Sequence, residues 1–258
     1  MNYQKVCVGL AAVSLACGIG CTLEEVDSDA IRTKGLYAEM LAIAPGNGTT
    51  LVRVNLTVGG NSGTRVQLVG EDVLVAEPDE DTRVALARQG HGRYEETLEG
   101  EASREVTVRL ERGAEDAPAE GTAFLPPAFA MQLESPMAGG VDRSTPVMVG
   151  WQDPSVEATN MDWSVEGDCI WSDSGVTPDD GVMTLNPEHV RVKSTQAGEE
   201  CVVQLTLDRA TTNGVDPLFV PGSNFRAVQR RAVTFVSTPA VGEKNGPEAA
   251  AASATAED

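Results

Sequence analysis

The chain has 258 residues, room for one large domain or two of roughly 100 residues each. Hydrophobic residues make up 41%, enough to bury real cores, which excludes a wholly disordered chain. Lys and Arg total 19 against 39 Asp and Glu, a net charge of −20. A surface that acidic repels phosphate backbones, so nucleic acid is not expected as a partner.

Met1–Lys5 is a polar start with one positive charge, followed by the apolar run Val6–Gly20 and then by acidic residues from Glu24. A run of about fifteen residues is short for a membrane span, which needs about 20, but suits a signal peptide over residues 1–20. Its removal takes away only the charge of Lys5, leaving −21 on the mature chain. Gly18-Ile19-Gly20-Cys21 resembles the lipobox of bacterial lipoproteins, with Gly18 where Leu is most common. Ser14-Leu15-Ala16-Cys17 is a rival site of the same kind. The resemblance implies that Cys21 carries acyl chains such as palmitate and anchors the protein to a membrane of the cell envelope. Each buried CH₂ contributes about 0.8 kcal/mol, and two or more chains hold firmly. Residues 21–33 then read as the lipidated cysteine and a solvated acidic tether reaching roughly 20 Å.

From Gly35 onward the apolar period is two. Val52, Val54, Leu56 and Val58 alternate with polar residues, and Gly59-Gly60-Asn61-Ser62-Gly63 follows as a turn. Further runs lie at Val66–Leu68, Val73–Val75, Val84–Leu86, Tyr94–Leu98 and Val106–Leu110. That rhythm predicts an antiparallel sandwich over residues 34–127. Leu125-Pro126-Pro127-Ala128 reads as a hinge, since proline cannot serve a central ladder.

A second strand-rich unit is expected over residues 128–238. Val147, Val149 and Trp151 share a face, as do Met161, Trp163 and Val165, and as do Cys201, Val203, Leu205 and Leu207. A tail poor in large apolar side chains runs from Pro239 to Asp258. Cys169 and Cys201 are the only cysteines of the globular part. In an exported chain such a pair reads as a disulfide, in a cytosolic one as two buried thiols. Trp163 on a central strand and Cys201 on an alternating one give the second unit a resemblance to immunoglobulin-like sandwiches, with one departure: Cys169 follows the tryptophan instead of preceding it. The resemblance implies that Trp163 lies on the third strand and that Cys201 opens the sixth. These are antiparallel neighbours, which brings Cys169 and Cys201 together. The predicted class is all-β, two antiparallel immunoglobulin-like β-sandwich domains in tandem.

Catalytic signals are sparse. His91 and His189 lack a second His or Cys at metal-ligand spacing, no GxSxG occurs, and both read as turn residues. Glu77-Pro78-Asp79-Glu80-Asp81 and Asp179-Asp180-Gly181 supply carboxylates, which glycosidases use in pairs about 5–10 Å apart. Asp173, Asp179 and Asp180 are also a candidate calcium loop, without EF-hand spacing. Trp151 and Trp163 are assigned to the core by strand phase, whereas Trp171 reads either as partly exposed or as packed over the disulfide. Arg226, Arg230 and Arg231 form the one basic cluster, read as edge-strand guards or as a docking patch for an acidic partner.

The reading is a non-catalytic envelope lipoprotein presenting β-sandwich modules for binding or structural assembly, with no cofactor. Its expected partners are the membrane, through the lipid anchor, and a protein of the envelope; the anchor belongs at the outer membrane or cell surface, with a periplasm-facing position left open. The alternative is a calcium-dependent or carboxylate-based hydrolase.

Overall fold

In the computed structural model the described residues are 25–79, 81–99, 105–115, 117–135, 140–154, 160–193 and 198–240. The signal peptide, Cys21 and residues 241–258 of the expected tail lie outside them. All regular structure among these residues is strand, apart from three short 3-10 turns. The first stretch holds β1 (Glu25–Asp27), β2 (Leu36–Ala44), β3 (Thr49–Val58), β4 (Thr64–Gln67), β5 (Val73–Glu77), β6 (Val84–Ala85), β7 (Ala87–Gly90), β8 (Arg93–Glu99), β9 (Glu105–Glu111) and β10 (Ala119–Phe124). The second holds β11 (Met131–Ser135), β12 (Val141–Asp142), β13 (Val147–Trp151), β14 (Asn160–Gly167), β15 (Asp173–Pro178), β16 (Val182–Leu185), β17 (Cys201–Gly214) and β18 (Asn224–Thr238).

The two units repeat one strand order. In the first, β2-β3-β8 packs against β6-β5-β9-β10; in the second, β11-β13-β16 packs against β15-β14-β17-β18. Numbering the seven main strands of each unit, the first, second and fifth form one layer. The fourth, third, sixth and seventh form the other. This is the two-layer, Greek-key arrangement of an immunoglobulin-like sandwich. Alternation explains why these segments become strands: Val52, Val54, Leu56, Val106, Val108 and Leu110 point inward in the first core, and Val149, Trp163, Val165, Val203 and Leu205 in the second. Gly175 lies against the Trp163 ring, where an added Cβ would sit 2.8 Å from the indole.

The units are not simply in tandem. The β17–β18 hairpin continues past the second sandwich and lies along the edge of the first, where β18 runs parallel to β2 from the pair Asn224–Glu39 to the pair Gln229–Ala44. Phe219, Phe225 and Ala227 are buried in the first core, so that core is completed by residues far beyond the expected boundary at 127. The reason is physical: β2 would otherwise be an open edge, and pairing it removes a row of unsatisfied amides and carbonyls. Parallel pairs β1–β4, β12–β18 and β2–β18 also correct the expectation of purely antiparallel sheets.

Residues 25–33, expected as a solvated tether, are docked instead. β1 adds to β4, and Ser28 and Thr33 are buried. Buried Arg112 donates to the Ser28 carbonyl (2.6 Å), to Thr33 Oγ1 (3.1 Å) and to Asp72 (3.1 Å). Glu115 accepts from both the amide and the hydroxyl of Thr33. Partial burial would raise the Glu115 carboxyl, but the Thr33 hydrogen bonds and the Arg112 guanidinium outweigh it and hold it below its ordinary 4.5. Composition alone gave these polar residues no partner, so they read as solvated; the partners lie some 80 residues away in sequence.

Cys169 and Cys201 form a disulfide, with Cα atoms 6.0 Å apart, at the end where β14 stops and β17 begins. Closing a segment of this length stabilises by roughly 3–4 kcal/mol in the chain-entropy model. Replacing both cysteines with Ala is expected to lower unfolding stability by about that amount, read as a shift in the urea midpoint.

Acidification gives a second check. Because Glu115 has a lower proton affinity when folded, the unfolded chain binds the proton first as pH falls. Its contribution is complete above about 4.5 and fades as pH drops through the lowered folded value. The protection of amides in residues 25–35, measured against the intrinsic exchange rate at each pH, should therefore fall as the solution is acidified through this range. Glu115→Gln should flatten that dependence.

Candidate functional site

The densest polar constellation lies where the two units meet. Arg209 extends the inward parity of Val203, Leu205 and Leu207 along β17, so its guanidinium points into the molecule and is 0% exposed. Its Nε donates to Asp179 Oδ2 (2.7 Å) and its Nη2 to Asp179 Oδ1 (2.9 Å), a bidentate pair. Nη1 reaches the Pro127 carbonyl and Nη2 the Asp153 carbonyl, both at 2.8 Å. Trp151 Nε1 donates to Asp179 Oδ1 at 2.8 Å. The guanidinium also lies 4.7 Å from the centroid of Phe129, a cation–π contact in a site shielded from water.

Arg231 approaches the same ring from β18, 5.4 Å from its centroid. It donates to the Phe129 carbonyl (2.8 Å) and to the Ala44 carbonyl at the end of β2 (3.1 Å). The turn after β2 leaves room for it through Gly46, at φ +84°, where a Cβ would lie 2.5 Å from the guanidinium carbon. Together, Arg209 and Arg231 bind the Pro127–Phe129 connection, the end of β2 and the base of the second sandwich. The expected Pro126-Pro127 hinge is a fastened joint.

This geometry reassigns several sequence candidates. Asp179 is buried with both carboxylate oxygens committed, so it cannot serve as an acid, a nucleophile or a calcium ligand without breaking the joint. Asp180 bonds the Val182 amide in the adjoining turn. Asp173 accepts from His189 Nδ1 (3.0 Å), and this bond, with the Ser174 amide, holds its carboxyl below the ordinary 3.8. The candidate calcium loop is thus divided among three different roles. His189 stands edge-on to Trp163, and its Nε2 faces Glu188 at 3.8 Å; among the described residues no hydroxyl or thiol is hydrogen-bonded to the ring. His91 occupies a turn at φ 51°. In the acidic run, Glu77 pairs with Arg83 and Arg109, and Asp79 binds Thr82; Glu80 lies outside the described residues.

The basic cluster is likewise spent internally. Arg230 forms a bidentate pair with Asp208 (2.7 and 2.6 Å), Arg226 meets Asp162 at 2.5 Å, and Arg231 belongs to the joint. Their strand β18 is paired on one side with β17 from Asn224 to Ser237 and on the other with β2 only from Asn224 to Gln229. Arg226 therefore stands on an interior stretch, which corrects the edge-guard reading for it, whereas Arg230 and Arg231 lie beyond that pairing, where β18 borders the second sandwich. Trp151 and Trp163 are buried, and Trp171 is 59% exposed. Sequence reasoning missed Arg209 and Arg112, although each falls on the inward parity of its strand, next after Leu207 and Leu110.

The class defined by this strand order is an all-β protein of two immunoglobulin-like sandwiches joined through a shared hairpin. No protein-family model matches the chain, and no curated protein matches it. Among solved structures it is similar to a segment of two fibronectin type-III domains from chicken tenascin, at 10% identity and a TM-score of 0.24, covering 78% of this chain and 98% of that one. It is also similar to Escherichia coli alpha-2-macroglobulin activated by porcine elastase, at 11% identity and a TM-score of 0.24, covering 81% of this chain and 22% of that one. At that TM-score neither comparison carries an argument, and the class rests on the strand pairing itself.

Breaking a buried ion pair by removing one partner leaves the other charge uncompensated. Asp179→Ala is therefore expected to destabilise by about 3–5 kcal/mol, measured by denaturant unfolding. The double change Asp179→Leu with Arg209→Met should recover much of that loss.

Proposed function

We propose that this protein is a non-catalytic lipoprotein of the bacterial cell envelope that presents its two sandwiches for binding or structural assembly. The Cys169–Cys201 disulfide carries the reading, because such bridges persist in oxidising compartments and not in the cytosol. It agrees with an apolar leader ending at Cys21, where acyl chains would be attached. The main carboxylate candidate for catalysis, Asp179, is committed to the Arg209 joint, which favours a presenting role over the hydrolase alternative. Only residues 22–24 separate Cys21 from β1, at most about 14 Å of extended chain over the four steps from Cys21 to Glu25. The first sandwich would therefore sit close to the membrane, with the second held away from it. The acidic surface suits a soluble body displayed beside anionic headgroups without adhering to them.

The test is expression of the full chain in a bacterial host, followed by fractionation and mass spectrometry. The expected product begins at Cys21, carries acyl chains, and partitions with membranes. Cys21→Ala should abolish acylation and the membrane association, whereas Cys17→Ala should leave both intact. Recovery of the whole chain from Met1 in the cytosol, with Cys169 and Cys201 reduced, would overturn the reading.

A further inference from the structure

The start of β2, just after the docked segment 25–33, and the finish of β18 stand at opposite ends of two strands that lie side by side. β18 spans 15 residues, about 50 Å at the usual rise. Its start, at Asn224, lies near the start of β2: Asn224 pairs with Glu39, and the Val220 amide donates to the Leu36 carbonyl at 2.8 Å. Its finish, at Thr238, lies at the far end of the second sandwich, beside Val141–Asp142 and close to the disulfide. The chain thus enters β2 at one end of their common axis and leaves β18 at the other, and the two strands are parallel neighbours.

We propose that the protein bears tension along this axis, serving as a load-carrying link between whatever is attached ahead of β2 and whatever is attached beyond β18. Hydrogen bonds between strands run across the strand direction. A pull that draws β2 and β18 past each other therefore loads the pairs from Asn224–Glu39 to Gln229–Ala44 in shear, together and not one after another. β18 is held along its other side by β17, through consecutive pairs from Cys201–Ser237 to Gly214–Asn224. Arg231 fastens the far end of β2 by donating to the Ala44 carbonyl. Below that, the bidentate Arg209–Asp179 pair ties β17 to the base of the second sandwich, so load passes between the units without meeting a flexible hinge. The inference stands on strand topology and holds whether or not Cys21 is acylated.

Forced unfolding is governed by the unfolding rate along the direction of pull, so two pulling directions on the same folded chain provide the test. In the first, bioorthogonal handles are placed at Lys34 and beyond Ala240, which loads β2 against β18 in shear and bypasses the docked segment 25–33. In the second, handles at Asn61 and Pro221, both exposed and both in turns at the same end of the first sandwich, pull across the strands and peel them pair by pair. At equal loading rate the first direction is expected to require a rupture force several times higher. Equal forces, or a weaker axial direction, would overturn the proposal. Both measurements use the same native fold, so a folding defect cannot mimic either result, and a failure of lipidation would leave the outcome unchanged.

Discussion

A guanidinium with no access to water is the constraint around which the molecule is arranged. Arg209 can be buried only if its charge is matched and its donors are filled, because an uncompensated buried cation costs several kcal/mol. Asp179 supplies the charge, and the carbonyls of Pro127 and Asp153 take further donors. Those partners come from the connection between the units, from the turn after β13 and from the turn after β15. Satisfying one side chain therefore fixes three segments of the second unit's base at once. Trp151 completes the arrangement by donating to the same carboxylate.

The shared hairpin follows from the same economy of unsatisfied groups. A seven-stranded sandwich leaves edges, and an open edge is a template for unwanted pairing. In the first unit that edge is β2, and β18 covers it while contributing Phe225 and Ala227 to the core. At the opposite margin β1 adds to β4, with Arg112 holding the segment that follows β1 through Ser28 and Thr33. Two buried arginines thus do comparable work in different places. Each converts a stretch of irregular chain into a fixed part of the fold by binding its backbone carbonyls.

Much of the strand pattern was legible along the chain. Alternation placed Val52, Val54 and Leu56, Val147 and Val149, and Val203 and Leu205 on inward faces, because the pleat has a period of two whatever the topology. The resemblance carried by Trp163 and Cys201 went further and paired Cys169 with Cys201. Less legible was the meaning of a charged residue on an inward phase. Arg112, Arg209 and Arg231 continue the buried parity of their strands, and that signal was present in the sequence. It could not be interpreted, because the partners that make burial tolerable lie some 30 to 190 residues away.

The sequence by itself determined the all-β class, the strand phases and the two-unit count, since these depend on local periodicity and composition. Tertiary structure alone decided that the units share a hairpin, that Pro126-Pro127 belongs to a fastened joint, that residues 25–33 are docked, and that Asp179 is a structural counter-charge. Each of these depends on long-range satisfaction of backbone and charged groups, a property of three-dimensional proximity to which neither residue type nor spacing gives access.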